Sequence, residues 1–246
     1  MKYNNLIYTV IDNLKTLLYA LIIAVLLRSL FFQPFYIPSS SMEPTLLVGD
    51  RLFVSKYAYG YSKHSFPFSP PFYNKRILSN DPERGDLVVF KTPADNRTDY
   101  IKRLIGLPGD TIQFINGDIF LNDKKIFKNK VIEKSEVRCG NTTFPVTFYE
   151  ETLPNGKKYK AAYSNIGTLK NSDKYKVPKD HFFFLGDNRD CSKDSRFLSE
   201  VGYVERINLV GKAKIIFFSN DTIQGSFLKF WNWNNSLRTY RTFKKL

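Results

Sequence analysis

One membrane-crossing helix followed by a β-rich body is the architecture this sequence predicts. Three observations lead there: a single long apolar run near the start, a succession of short β-branched and aromatic runs after Pro38, and little helical periodicity beyond the apolar run. The 246 residues suffice for one sizeable domain or two small ones. With 43% hydrophobic and 24% charged residues the composition is ordinarily globular, which excludes wholesale disorder.

Residues 1–15 form a short N-terminal segment carrying Lys2 and Lys15. The run Thr16–Leu27 (TLLYALIIAVLL) is too short alone, because a helix needs about 20 residues to cross a hydrocarbon core. Extended to Phe35 it reaches that length with Arg28 as its single charge, placed where it can snorkel. Phe31, Phe32, Phe35 and Tyr36 would form an interfacial aromatic belt. A cleaved secretory signal has a similar apolar length, but no small-x-small site follows this one. A buried core helix is the other alternative, yet no polar residues interrupt the run at helical spacing. The reading is an uncleaved transmembrane anchor at 16–35. Positive residues before it are sparse, so its sidedness stays open.

Residues 36–246 are expected to be one β-rich domain. Arg51–Ser55, Asp86–Phe90, Thr111–Ile115 and Asp118–Leu121 read as strands, and Val210–Phe218 as the last. Asn116-Gly117 joins two of these runs as a tight hairpin turn. Tyr57–Asn80 is a Pro, Ser and aromatic loop. Residues 128–176 are lysine-rich with a Pro154-Asn155-Gly156 turn, as in an inserted hairpin or small subdomain. The basic aromatic tail, 227–246, holds five Lys or Arg and no acid. It reads either as a solvated terminal helix or frayed end, or as a contact with anionic lipid.

The net charge of +14 suits an anionic surface, phospholipid or nucleic acid, and does not choose between them. Two Cys and two His cannot build a four-ligand zinc site at finger-like spacing, and they are too few for a disulfide-dense scaffold. The phosphate-binding Gly-x-x-x-x-Gly-Lys loop and the aromatic RNA-recognition signature are both absent from the sequence.

Three segments carry chemistry. Ile37-Pro-Ser-Ser-Ser-Met-Glu-Pro-Thr-Leu46 follows the anchor; in isolation a Ser run between prolines is a linker. Arg84-Gly-Asp86 leads to Tyr100-Ile-Lys-Arg103. Gly186-Asp-Asn-Arg-Asp-Cys-Ser-Lys-Asp-Ser-Arg196 is dense in Asp and Ser but lacks the register of a calcium loop. Together, and in this order after an apolar anchor, they resemble the bacterial type I signal peptidases, membrane-anchored proteases with a serine–lysine dyad. The resemblance covers the anchor and residues 34–60, 82–126 and 178–218.

That chemistry is self-consistent. A serine hydroxyl needs a base within hydrogen-bond reach, and histidine has little support here because His181 lies outside any matching motif. An ordinary lysine is neutral in less than about 1% of molecules at neutral pH, but burial lowers its pKa by up to about 3–5 units. Ile101, Leu104 and Ile105 make such burial plausible for Lys102. The resemblance implies that Ser41 is the nucleophile and Lys102 the general base. It implies that the Ser39 hydroxyl and the Ser41 N–H form the oxyanion hole, that Ser192 orients Lys102, and that Asp194 and Arg196 brace their loop as an ion pair. Ile37 and Ile101 match positions lining the pockets for small substrate side chains, while Arg84, Asp86 and Arg103 are structural. Ser40 stands where glycine is frequent in the family, and Cys191 where asparagine is common. Cys191 is either a small buried residue or a thiol near the lysine, and its pairing with Cys139 is left open. The implied substrates are signal peptides of exported preproteins, cut at small-x-small sites outside the cytoplasmic membrane. Membrane phospholipid is the expected partner, with no nucleic acid, metal or cofactor. A self-cleaving repressor would need a helix-turn-helix in place of the apolar run, and a lipid- or nucleic-acid-binding β module would need no dyad.

Overall fold

The computed structural model describes the chain apart from residues 1, 72, 141, 165–169, 222–230 and 232. It is mainly β, with one long helix, α1 (Lys2–Leu30). The portion apolar enough to cross a membrane is Ile7–Leu30, 24 residues containing a stretch of mean hydropathy 2.0 that is not buried against the body, while Ser29 at its end is buried. At 1.5 Å per residue those residues span about 36 Å, more than the about 30 Å of a hydrocarbon core. This differs from the expected 16–35: the apolar stretch starts earlier and the helix stops at Leu30. Proline within a helix removes a hydrogen bond and drives its predecessor to extended backbone, so the chain around Pro34 leaves α1 as a strand, β1 (Phe32–Tyr36).

The remaining strands are β2 (Asp50–Ser55), β3 (Leu87–Lys91), β4 (Asp99–Gly106), β5 (Thr111–Ile115), β6 (Asp118–Leu121), β7 (Lys124–Lys125), β8 (Phe127–Cys139), β9 (Thr142–Thr152), β10 (Lys158–Ser164), β11 (Tyr175–Lys176), β12 (His181–Leu185), β13 (Val204–Glu205), β14 (Leu209–Ser219) and β15 (Lys244–Lys245). The main sheet runs β1-β2-β14-β3-β4-β12-β13, with β15 also on β14. Pro34 sits on its edge, where a missing N–H is tolerated. A second sheet, β11-β5-β6-β7, contains the hairpin at Asn116-Gly117, whose φ angles of 51° and 80° are those a two-residue turn requires. Residues within 128–176 contribute most of a three-stranded sheet, β10-β9-β8.

Alternation along the strands builds the core. Leu52, Val54, Val89 and Ile216 pack with Met42 and Leu46 beneath the Ser41 loop, and Val88, Phe90, Leu104 and Phe184 pack on the other side of the main sheet. The Tyr57–Asn80 loop is fastened by Arg76, whose guanidinium donates to the carbonyls of Gly60 (2.9 Å) and Arg206 (2.8 Å). The described part of the tail is neither a frayed end nor one terminal helix. It has a short α-helical turn (Trp233–Ser236) and a 3-10 turn (Thr239–Arg241), and Arg241 is buried against the Asp50 carboxylate at 2.6 Å while β15 adds to the sheet. Residues 227–230 and 232 of the tail, and 165–169 of the expected insertion, lie outside the described residues.

Candidate active site

The loop between β1 and β2 carries Ser39 and Ser41. Buried Ile37, Met42 and Leu46 anchor it from below. Asp50 fixes its far end, accepting from the Leu47 N–H (2.8 Å), the Ser219 hydroxyl (2.6 Å) and the Arg241 guanidinium. From above, Asn188 donates its side-chain amide to the Ser40 carbonyl (3.2 Å) and its backbone N–H to the Ser41 carbonyl (3.1 Å). These side-chain and backbone contacts together hold the serine loop against β4.

Lys102 stands in the middle of β4, paired with Val88 of β3, and its side chain is 4% exposed. Its Nζ donates to the Ser41 Oγ at 2.5 Å and lies 5.4 Å from the centre of the Tyr100 ring. Burial lowers the lysine pKa to about 8, against the opposing pull of Asp194 and Asp187. The Ser39 Oγ is 3.3 Å from the Ser41 Oγ. The Ser41 N–H donates to no group among the described residues.

Asp194 and Arg196 form a buried ion pair at 2.8 Å, and Asp194 also accepts from the Gly186 N–H at 2.9 Å. Burial pushes the Asp194 carboxyl up, but Arg196 and these hydrogen bonds outweigh it and hold the group below its ordinary value. Ser192 is in the same loop, 6% exposed; its Oγ makes no hydrogen bond to Lys102, and it lies close enough to Asp194 to help hold that carboxylate charged. Gly186 is what lets the loops approach this closely: a Cβ there would lie 2.1 Å from the Ser192 Oγ and 2.5 Å from the Ser41 carbonyl oxygen.

Ile37 and Ile101 line a largely apolar groove of about 540 Å³ whose walls also include Ser41 and Lys102. The same walls include Tyr100, Cys191 and Lys193, which the sequence reading did not assign to the groove. Also unassigned were Asn188, which holds the serine loop, and Asp187, which forms a buried pair with Arg103 at 2.6 Å. Both lie inside the Gly186–Arg196 run. Cys191 is bonded to Cys139 at a Cα–Cα separation of 5.6 Å, which ties the end of β8 to the loop carrying Ser192. A second buried pair, Arg189 with Glu151 at 2.6 Å, joins the same loop to β9. No group of His, Cys, Asp and Glu among the described residues is arranged to hold a metal ion.

Comparison with known proteins gives a consistent result. The family model described as signal peptidase, peptidase S26, matches residues 10–218. The signal peptidase I of Rickettsia typhi is 41% identical, covering 97% of this chain and 94% of that one. That of Rickettsia massiliae is 42% identical, covering 93% and 90%. A solved structure of a signal peptidase I from Enterococcus faecalis shares 24% identity, with 54% of this chain and 97% of that chain covered and a TM-score of 0.32. The apolar α1 fits a membrane anchor for such a peptidase. With a family match over most of its length and relatives of this similarity, the chain belongs to the signal peptidase family, peptidase S26, and is a peptidase.

Proposed function

We propose that this chain removes N-terminal signal peptides from exported precursors at small-x-small sites, with Ser41 as nucleophile and Lys102 as general base. The carrying observation is the Lys102–Ser41 contact, a buried amine 2.5 Å from a hydroxyl in the wall of an apolar groove. The groove lies along β1 and β4, so an extended substrate segment would present its scissile carbonyl to Ser41 with small side chains against Ile37 and Ile101.

Neutral Lys102 takes the Ser41 proton as Oγ attacks the carbonyl carbon. The developing oxyanion meets the Ser41 N–H and the Ser39 hydroxyl, and the lysine then gives its proton to the leaving amine. Water hydrolyses the acyl-enzyme by the same route. Ser192 is a positioning residue, buried in the loop that also carries Asp194 and expected to orient Lys102 once substrate is bound. The catalytic domain is assigned to the outer face of the cytoplasmic membrane. A Cys139–Cys191 disulfide supports that side, since such bonds persist in oxidising compartments. No metal or organic cofactor is needed.

The test uses purified full-length protein and a precursor peptide with an Ala-x-Ala site, the cut located by mass spectrometry. Cleavage after the second alanine, lost in Ser41→Ala and Lys102→Ala proteins that melt cooperatively, is the expected result. Ordinary turnover by either variant would overturn the dyad.

A further inference from the structure

Beside the last turn of α1 lies a second cavity of about 620 Å³, with Arg28, Ser29, Lys63, His64, Phe66 and Phe68 in its walls. It shares Phe35 and Asp99 with the substrate groove. Two polar atoms on residues of these walls, the Ser29 Oγ and the His64 Nε2, are buried with no hydrogen-bond partner among the described residues, and the residues are 3% and 4% exposed. A buried polar group left unpaired is costly, so two beside one cavity are hydrogen-bonding capacity that an occupant of the cavity can take up.

The imidazole is held in place. Its Nδ1 is 2.9 Å from the Ser69 Oγ, and buried Lys56 donates to the carbonyls of His64 (3.2 Å) and Ser65 (3.3 Å). Burial, reinforced by Lys63 and Lys91, lowers the His64 pKa to about 4, so the ring is neutral at physiological pH and its charge does not repel the cations around it. Five Lys or Arg face two Asp in the cavity wall. Both carboxylates are engaged: Asp99 with Lys91 at 2.9 Å, and Asp95 with the N–H groups of Arg97 and Thr98. Arg28 forms no ion pair among the described residues. The surplus of charge favours an anion, and the unpaired hydrogen-bonding atoms suit one with several oxygens.

Position narrows its source. Arg28 and Ser29 end the segment that fits a bilayer, which sets the cavity at headgroup depth. Phe68 is fully exposed on left-handed backbone (φ 60°), with Phe66 partly exposed beside it, aromatic side chains at the level where such residues enter the interface. We infer that this cavity binds the phosphodiester of an anionic glycerophospholipid, held by Ser29, His64 and Arg28, with Phe66 and Phe68 among the acyl chains. The inference rests on α1 crossing the membrane and is independent of the peptidase chemistry. Lipid bound there would hold the mouth of the groove at the bilayer surface.

Full-length protein in dodecylmaltoside is titrated with dioleoyl-phosphatidylglycerol, dioleoyl-phosphatidylcholine or inorganic phosphate, and bound species are counted by native mass spectrometry. One retained phosphatidylglycerol is expected, with affinity falling about tenfold in His64→Asn and in Arg28→Gln, each removing one contact to the phosphate. His64→Asn keeps an amide near the Ser69 hydroxyl, and Lys174→Gln removes an equally charged group from a remote surface and should bind as wild type. Equal weakening in Lys174→Gln would reduce the effect to net charge, and unchanged binding in both cavity variants would overturn the site. Saturation by inorganic phosphate without lipid would make it a free-phosphate site. A raised peptide KM in the variants with lipid binding intact would make it a substrate subsite. Each of these last two outcomes also refutes the lipid assignment.

Discussion

As the proposed general base, Lys102 is the group on which activity and stability make opposite demands. Its pKa of about 8 leaves about a tenth of molecules with a neutral amine at pH 7, against about one in 3,000 at the ordinary 10.5. Burial therefore raises the population of working base about 300-fold, equivalent to about 3 kcal/mol of barrier. The expected profile of kcat/KM for an Ala-x-Ala peptide rises tenfold per pH unit below about 8 and levels above it. The linked effect on stability has a definite sign. A lysine whose folded pKa lies below its unfolded one opposes folding fully below the folded value, and the penalty disappears as pH rises toward the unfolded value. Lys102→Met should accordingly be inactive yet more stable by about 3 kcal/mol at pH 7, with the gain shrinking between about pH 8 and 10.5. Urea melts of the two proteins at several pH values measure it. A rate profile flat from pH 6 to 9, or a variant less stable than wild type at pH 7, would refute the buried-amine reasoning.

Four further outcomes are expected. Ser39→Ala should lower kcat by about 10²–10³ with little change in KM, as removal of one oxyanion donor does, read by steady-state kinetics. Gly186→Ala forces a Cβ to within 2.1 Å of the Ser192 Oγ and should cost about 1–3 kcal/mol in denaturant melts, with kcat falling more than KM rises. Asp187→Asn leaves the buried Arg103 guanidinium without its counter-charge, and chemical denaturation should show a loss of about 3–5 kcal/mol. Cys139→Ser opens a crosslink between residues 52 positions apart, for which loop entropy predicts a loss of about 4 kcal/mol, measured against the oxidised wild type.

The strands were legible where alternation and turn chemistry agree. Thr111–Ile115, Asn116-Gly117 and Asp118–Leu121 name a hairpin within the sequence itself, and the structure has β5 and β6 at those residues. The end of the anchor was harder to read. Residues 31–35 are aromatic and apolar enough to continue a membrane helix, and it is Pro34 together with the pairing of Phe32–Tyr36 with β2, a contact with residues far along the chain, that decides for strand. The tail misled for a similar reason. Its charges look solvated in one dimension, whereas Arg241 finds Asp50 across 191 positions. At the site, residue types and order were informative because serine and lysine chemistry needs those groups. Asn188, Lys193 and the Cys139–Cys191 bond depend on how three loops converge, which no local pattern records.

The electrostatics of the site turn on how its acids are placed. Lys102 lies within the influence of two buried carboxylates, Asp194 and Asp187, and each of them favours the ammonium that catalysis must avoid. Neither is left as a free counter-ion. Arg196 occupies Asp194 through both carboxylate oxygens, at 2.8 and 2.9 Å, and Arg103 does the same to Asp187 at 2.7 and 2.6 Å. Each pair is close to neutral seen from the lysine, so desolvation prevails and the amine is lowered rather than raised. The arginines thus act on the base without touching it. Removing Arg196 should free Asp194 to hold Lys102 charged, so Arg196→Met, where it folds, should shift the break in the pH–rate profile above about 8. An arginine that served only to brace the loop would lower the rate and leave that break where it was.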